Sequence, residues 1–140
     1  MKGFRSQSRY HRSRTVTSGL SLPASTILNS LSIDPAEIAQ FDRLLKEDIY
    51  FLPEEKISSD GYVIHTLEAS IWSFMTTDNY KDSVLKAINL GGDTDTTGAV
   101  TGGLAGLYYG YENIPIRWIN AIARREEIEE LAGRVGEKLF

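Results

Sequence analysis

Residues 93–97 read Asp-Thr-Asp-Thr-Thr, two carboxylates and three hydroxyls in five positions. An oxygen-only set of this kind suits a hard divalent cation such as magnesium or manganese. The run opens a helical segment, and positions i and i+3 share a helix face. Asp93 and Thr96 therefore converge, while Asp95 reaches in from the side. One acid at a helix N-terminus gains about 0.3–1 kcal/mol. A second carboxylate about 5 Å away returns a repulsion of about 1 kcal/mol in water, several-fold more where water is excluded. A divalent cation relieves that repulsion. The plainer reading makes Asp93 an N-cap and Asp95 a first-turn acid, and spacing alone leaves both open.

Three known signatures can be tested on these residues. An EF-hand loop fits Asp93, Asp95, Thr97 and Gly98 but needs a bidentate Glu where Leu104 stands. A phosphate-binding P-loop needs a Gly-Lys-Ser/Thr ending, which is missing. A DxDxT phosphotransferase signature fits letter by letter, but its nucleophilic Asp must end a buried strand. Tyr80–Leu90 reads as an amphipathic helix instead, so a phosphatase-like enzyme is kept only as a minor competitor.

The elements that must position the acids read as helices throughout. Glycine recurs at 98, 102, 106 and 110 behind the acidic turn. Each glycine inside a helix costs roughly 0.5–1 kcal/mol against alanine. Four at one-turn spacing predict a bare stripe on a helix over 94–109, against which another backbone or a ligand packs. Upstream, Asp34-Pro35 starts a helix with Ile38, Phe41 and Leu45 on one face. Residues 49–61 read as a loop. Ile64, Leu67, Ile71, Phe74 and Met75 predict a helix over 63–76. Asp78 or Asn79 caps the next, with Tyr80, Val84 and Ile88 inward and Gly91-Gly92 ending it. Pro115 opens another bearing Trp118, Ile119 and Ile122. A last helix from Glu126 to Lys138 shows Ile128, Leu131, Val135 and Leu139 at helical spacing. No alternating strand pattern appears. The expected class is all-α, a compact orthogonal helical bundle.

Composition narrows the chemistry. The 140 residues contain no cysteine, which excludes disulfides, thiolate metal sites and cysteine nucleophiles. Metal ligands are limited to oxygen and to His11 and His65. The first 33 residues hold five basic side chains and no acid; the net charge of -4 thus leaves -9 on the remainder. Residues 1–33 read as a basic N-terminal arm or irregular lead-in, and 34–140 as the helical domain. The arm reads as solvated, with an Arg/Ser-rich transit-type segment or a phosphate contact as alternatives. Nucleic acid is not an expected partner of the chain. The most apolar stretch, 99–111, is too short to span a bilayer, which takes about 20 residues. No membrane partner is expected, and the expected location is the cytoplasm.

Leu90-Gly-Gly-Asp-Thr-Asp-Thr96, the small-residue helix and Leu107-Tyr-Tyr-Gly110 resemble the C-terminal signature of the ADP-ribosylglycohydrolase family. Gly61-Tyr-Val-Ile-His-Thr-Leu-Glu-Ala-Ser-Ile-Trp72 and Ile114-Pro-Ile-Arg-Trp118 agree with it. The resemblance covers roughly residues 45–135. It implies an all-α fold and a pair of magnesium or manganese ions that orient the distal ribose of ADP-ribose and a water. The bond from ribose to an acceptor side chain is then hydrolysed, so ADP-ribose or an ADP-ribosylated protein is the implied partner. Asp93, Asp95 and Thr96 match family metal ligands; Gly61, Tyr62 and Val63 match a segment near the substrate cleft. His65 stands where Asp is expected and reads as a capping or packed surface residue. The resemblance also implies a second ligand set, a Thr-Asp-Asp-like triplet with a nearby catalytic acid, which these residues do not contain. The catalytic residue is therefore unassigned. A C-terminal fragment, a site completed by another chain, and a non-catalytic module that forms homo-oligomers are the three expectations.

Overall fold

The Asp34 carboxylate accepts from the Ala36 amide at 2.8 Å and starts a helix, α1, Pro35–Ala39. The computed structural model describes residues 26–27, 33–46 and 49–139, so nearly all of the basic lead-in lies outside the described residues. The face expected to run from Ile38 to Leu45 is broken by a turn at Gln40–Phe41, and α2 is the separate helix Asp42–Leu45. The predicted loop over 49–61 contains two 3-10 turns, Ile49–Phe51 and Glu54–Lys56. Then come α3 (Val63–Met75), α4 (Tyr80–Asn89), α5 (Thr94–Tyr109), a 3-10 turn (Tyr111–Asn113), α6 (Ile116–Ile119) and α7 (Arg125–Leu139). The chain is all-α, with no strand among the described residues.

The helix boundaries follow local chemistry. Asn79 caps α4 by accepting from the Asp82 amide at 2.9 Å and returns its own amide to the Asp82 carboxylate at 2.8 Å. Gly110, at φ +90°, closes α5 in a conformation that favours glycine. α6 stops at Ile119, so Ile122 falls beyond it rather than within it.

α5 packs against both α3 and α4 and forms the middle of the structure. Its seam with α3 is built from short side chains. The fully buried hydroxyls of Ser70 and Thr101 both donate to the Thr97 carbonyl, at 3.2 and 2.7 Å. Ala105 continues that face into a cluster with Phe74 and Met75, flanked by Tyr50, Ile71, Tyr80 and Tyr109. The other seam is the glycine stripe. A Cβ on Gly98 would stand 2.8 Å from Ile88 Cγ2, and one on Gly102 would stand 3.3 Å from the Tyr80 hydroxyl. Side chains of α4 therefore fill the stripe, in place of the backbone or ligand its spacing had predicted.

Two features of the helix faces emerge from the structure. Glu68 lies on α3 among the apolar positions and is 2% exposed, paired with the Arg43 guanidinium at 2.9 Å. The same Arg43 donates to the Lys56 carbonyl at 2.9 Å, so one cation ties α2 and the second 3-10 turn to α3. On α7 the apolar stripe is exposed. Ile128, Leu131, Val135 and Leu139 are 48–69% exposed.

Losing one partner of a buried pair strands the other charge. Arg43→Met should lower stability by about 2–3 kcal/mol, reduced from the fully buried case because Arg43 is partly solvated. Adding Glu68→Met should recover most of that loss, as read by urea denaturation of the two variants.

Candidate metal centre

The acidic turn is shaped before any acid is placed. α4 ends at Asn89 with Leu90 as its C-cap, and Gly91 and Gly92 reverse the chain at φ +80° and +63°. Ser59, from the loop before α3, clasps this reversal from both sides. Its hydroxyl donates to the Gly91 carbonyl at 2.8 Å, and its carbonyl accepts from the Asp93 amide at 2.7 Å. A Cβ on Gly92 would lie 2.2 Å from that carbonyl oxygen, so no other residue fits. Gly91 has open space around it.

Asp93 occupies the N-cap position of α5, but its side chain makes no capping hydrogen bond. Only its carbonyl enters the helix ladder, accepting from the Thr97 amide at 3.2 Å. The carboxylate is turned instead toward two neighbours. Its Oδ2 lies 3.1 Å from where a Cβ on Gly61 would stand. Its other neighbour is Asp95. A hydrogen bond between the two side chains, aided by the Thr96 amide and the Asp95 amide, holds the Asp95 carboxyl below the usual carboxylate range. Asp95 Oδ1 accepts from the Thr96 amide at 2.9 Å. Two carboxylates this close repel each other, and a cation between them relieves the repulsion.

The structure thus brings together Asp93, Asp95, Thr96 and Gly61 of the residues singled out from the sequence. Tyr62 and Val63 follow Gly61 at the start of α3, about half exposed and more. The Tyr62 hydroxyl donates to Gln40 Oε1 at 2.5 Å, which attaches the end of α1 to this edge of the site. His65 pairs with Asp60 at 2.9 Å and meets the Tyr62 ring edge-on at 5.2 Å, in keeping with a packed surface role. Asp60 was missed. Its carboxylate also accepts from the Tyr62 amide at 3.0 Å, and the contact with His65 holds it below the ordinary carboxylate range. The signal was the Asp-Gly pair, since an Asp that bonds the amide two residues on sets a turn.

Among the described residues no group of three or more His, Asp or Glu is gathered as a metal cluster. The turn offers two carboxylates and the adjacent Thr96 hydroxyl, a donor set that fits a hard divalent cation and half-fills an octahedron of about six oxygens. The phosphatase-like reading fails on local structure. Asp93 follows the helix α4, whereas that chemistry needs its nucleophile at a strand end.

An all-α chain with an acidic turn opening a glycine-striped helix defines a class, and the sequence matches the ADP-ribosylglycohydrolase family model over residues 9–139. The chain belongs to the ADP-ribosylglycohydrolase family. It is 48% identical over 86 residues to the ADP-ribosylarginine hydrolase Tri1 of Serratia proteamaculans, covering 61% of this chain and 22% of that protein. It is 37% identical over 82 residues to the ADP-ribosyl-[dinitrogen reductase] glycohydrolase of Rhodospirillum rubrum, covering 59% of this chain and 28% of that one. With the mouse ADP-ribosylhydrolase ARH3 it shares 39% identity over 111 residues, 69% of this chain and 30% of that one. The chain spans less than a third of the length of each of these three relatives.

The clasp makes a paired prediction. Gly91→Ala carries only the left-handed penalty, about 1–2 kcal/mol. Gly92→Ala adds a backbone collision and should lose at least about 3 kcal/mol or fail to fold natively. Thermal and urea unfolding of the two variants side by side reads the difference.

Proposed function

We propose that this chain contributes part of a metal-dependent ADP-ribosyl hydrolase site, which cleaves the bond between ADP-ribose and an acceptor side chain. The observation that carries this reading is the Asp93 carboxylate, spared from capping its own helix and set against Asp95. Asp93, Asp95 and Thr96 would hold magnesium or manganese, with the remaining oxygens of the shell supplied from outside this turn. Bound cations would supply charge neutralisation and orientation of the ribose and of the attacking water. The chain's own part is positional. The Ser59 clasp fixes where α5 begins, the α5 seams keep that helix from shifting, and Gly61 leaves the Asp93 carboxylate uncovered.

The acceptor follows from the relatives' names. The Serratia protein and the Tri1 of Pseudomonas putida, 40% identical over 78 residues, are both named as ADP-ribosylarginine hydrolases. ADP-ribosylated arginine is therefore the substrate to offer first, ahead of other linkages. A protein carrying that modification is the implied partner.

Calorimetric titration of the chain with manganese tests the ligand set. Asp93→Asn and Asp95→Asn should each weaken binding about tenfold or more, a loss of about 1.4 kcal/mol per decade. Thr96→Val should weaken it less, because a neutral hydroxyl contributes less than a carboxylate to a divalent cation. Unchanged affinity in both Asp variants would refute the assignment. In a metal-supplemented assay of ADP-ribose release from ADP-ribosylated arginine, Asp95→Asn should abolish any turnover the chain supports.

A further inference from the structure

Three buried hydroxyls find no hydrogen-bond partner among the described residues, those of Thr66, Ser73 and Thr97. Two of them stand beside the acidic turn. Thr66 follows the Tyr62 N-cap of α3 by four positions, and Thr97 follows the Asp93 N-cap of α5 by four. The two helices run parallel, so these positions are level. Gly61 lies against the Asp93 carboxylate where the helices start. The Ser70 hydroxyl meets the Thr97 carbonyl further in, and the Phe74 and Tyr109 rings meet edge-on at 6.1 Å toward the far ends.

Thr97 is the sharper case, because it is fully buried. Its carbonyl takes the Ser70 and Thr101 hydroxyls, while its own hydroxyl has nothing. Burying an unpaired hydroxyl is costly, and valine would fill the same space without that cost. A buried donor of this kind calls for an acceptor. Side chains four apart on a helix stand one above the other, and each leans toward the helix N-terminus. The group above Thr97 is Asp93. Its carboxylate makes no capping bond and rests against Gly61, on the side where Thr97 is buried. Asp93 is itself half-buried, whereas Asp95 and Thr96 are exposed. The Asp93 carboxylate thus lies between the seam and the outward donors, with one oxygen for each side. An ionised carboxylate only accepts, which suits a hydroxyl below it.

We propose that Thr97 is a positioning residue for the cation site, its hydroxyl donating to the inward oxygen of Asp93 when a cation holds the outward one. This rests on the reading of Asp93, Asp95 and Thr96 as cation ligands and adds a residue behind them. In the chain alone Asp93 leans on Asp95, and Thr97 stays unpaired. A cation neutralises the two acids, and Asp93 then takes the Thr97 proton donor as its second partner. Outer partners of this kind orient metal ligands, and losing one typically costs about 10–100-fold in affinity.

Thr97→Val should therefore move stability and binding in opposite directions. In a chelator its melting temperature should rise by about 3 °C, because a methyl group replaces an unpaired buried hydroxyl. Its affinity for manganese, read by titration calorimetry, should fall about tenfold. Thr97→Ser keeps the hydroxyl and should bind manganese as the unchanged chain does. Ser73→Ala removes the unpaired hydroxyl two turns further along α3 and should leave manganese affinity alone. Asp93→Asn separates this inference from the reading beneath it. Manganese lost in Asp93→Asn but kept in Thr97→Val leaves the ligand set standing and overturns the role of Thr97. Manganese kept in Asp93→Asn, or not bound by the unchanged chain, overturns both. The role of Thr97 also falls if Thr97→Val is less stable than the unchanged chain. It falls equally if Thr97→Ser or Ser73→Ala weakens manganese as much as Thr97→Val does.

Discussion

The Ser59 carbonyl oxygen governs the site. It accepts the Asp93 amide and sits where any side chain on Gly92 would have to go. That contact fixes the N-cap residue of α5 against the loop and so sets the entry angle of the helix. The Asp93 carboxylate makes no capping hydrogen bond. It comes to rest against Gly61, two positions before the start of α3 in the same loop that supplies Ser59. The hydrogen bond with Asp95 follows from that placement. Two acids are thus held close at the end of a helix that would ordinarily separate them.

Rigidity behind the turn comes from how α5 is lined. Its face toward α3 carries Thr97, Thr101 and Ala105, all fully buried, and its face toward α4 carries glycine. Small residues let both neighbours approach closely, so the helix has little room to slide or rotate. Close packing of this kind resists displacement because each lost contact forfeits dispersion attraction. Hydroxyls on the α3 seam stay satisfied by bonding the Thr97 carbonyl, which fixes register as well as distance. The glycines therefore serve the site indirectly, through the seat of α5 against Tyr80, Val84 and Ile88.

Much of this was legible in the residues. Asp34, Asn79, Gly91-Gly92 and Gly110 marked helix ends because capping and left-handed turns use few residue types. The acidic turn and the membership of the family were legible for the same reason, since short chemistry has a compact signature. The misses share a different cause. Glu68 sits on an apolar helix face, and its partner Arg43 is 25 positions away, so nothing local announces the pair. The α1–α2 break at Gln40–Phe41 preserves the apolar spacing that suggested one helix. Periodicity reports that a helix has an apolar side without saying what covers it. Hence the glycine stripe met side chains of α4, and the stripe of α7 faces outward.

The central claim is that Asp93, Asp95 and Thr96 act together as a cation site, distinct from the merely acidic surface of the chain. The most direct measurement is the broadening of backbone amide resonances by substoichiometric manganese, whose paramagnetism reports distance. The account predicts early loss of signal at residues 93–97 and at 59–62 across the clasp, with α7 unaffected. Broadening that begins at Glu126, Glu127, Glu129 and Glu130, the densest run of acids, or that spreads evenly over the chain, would contradict it.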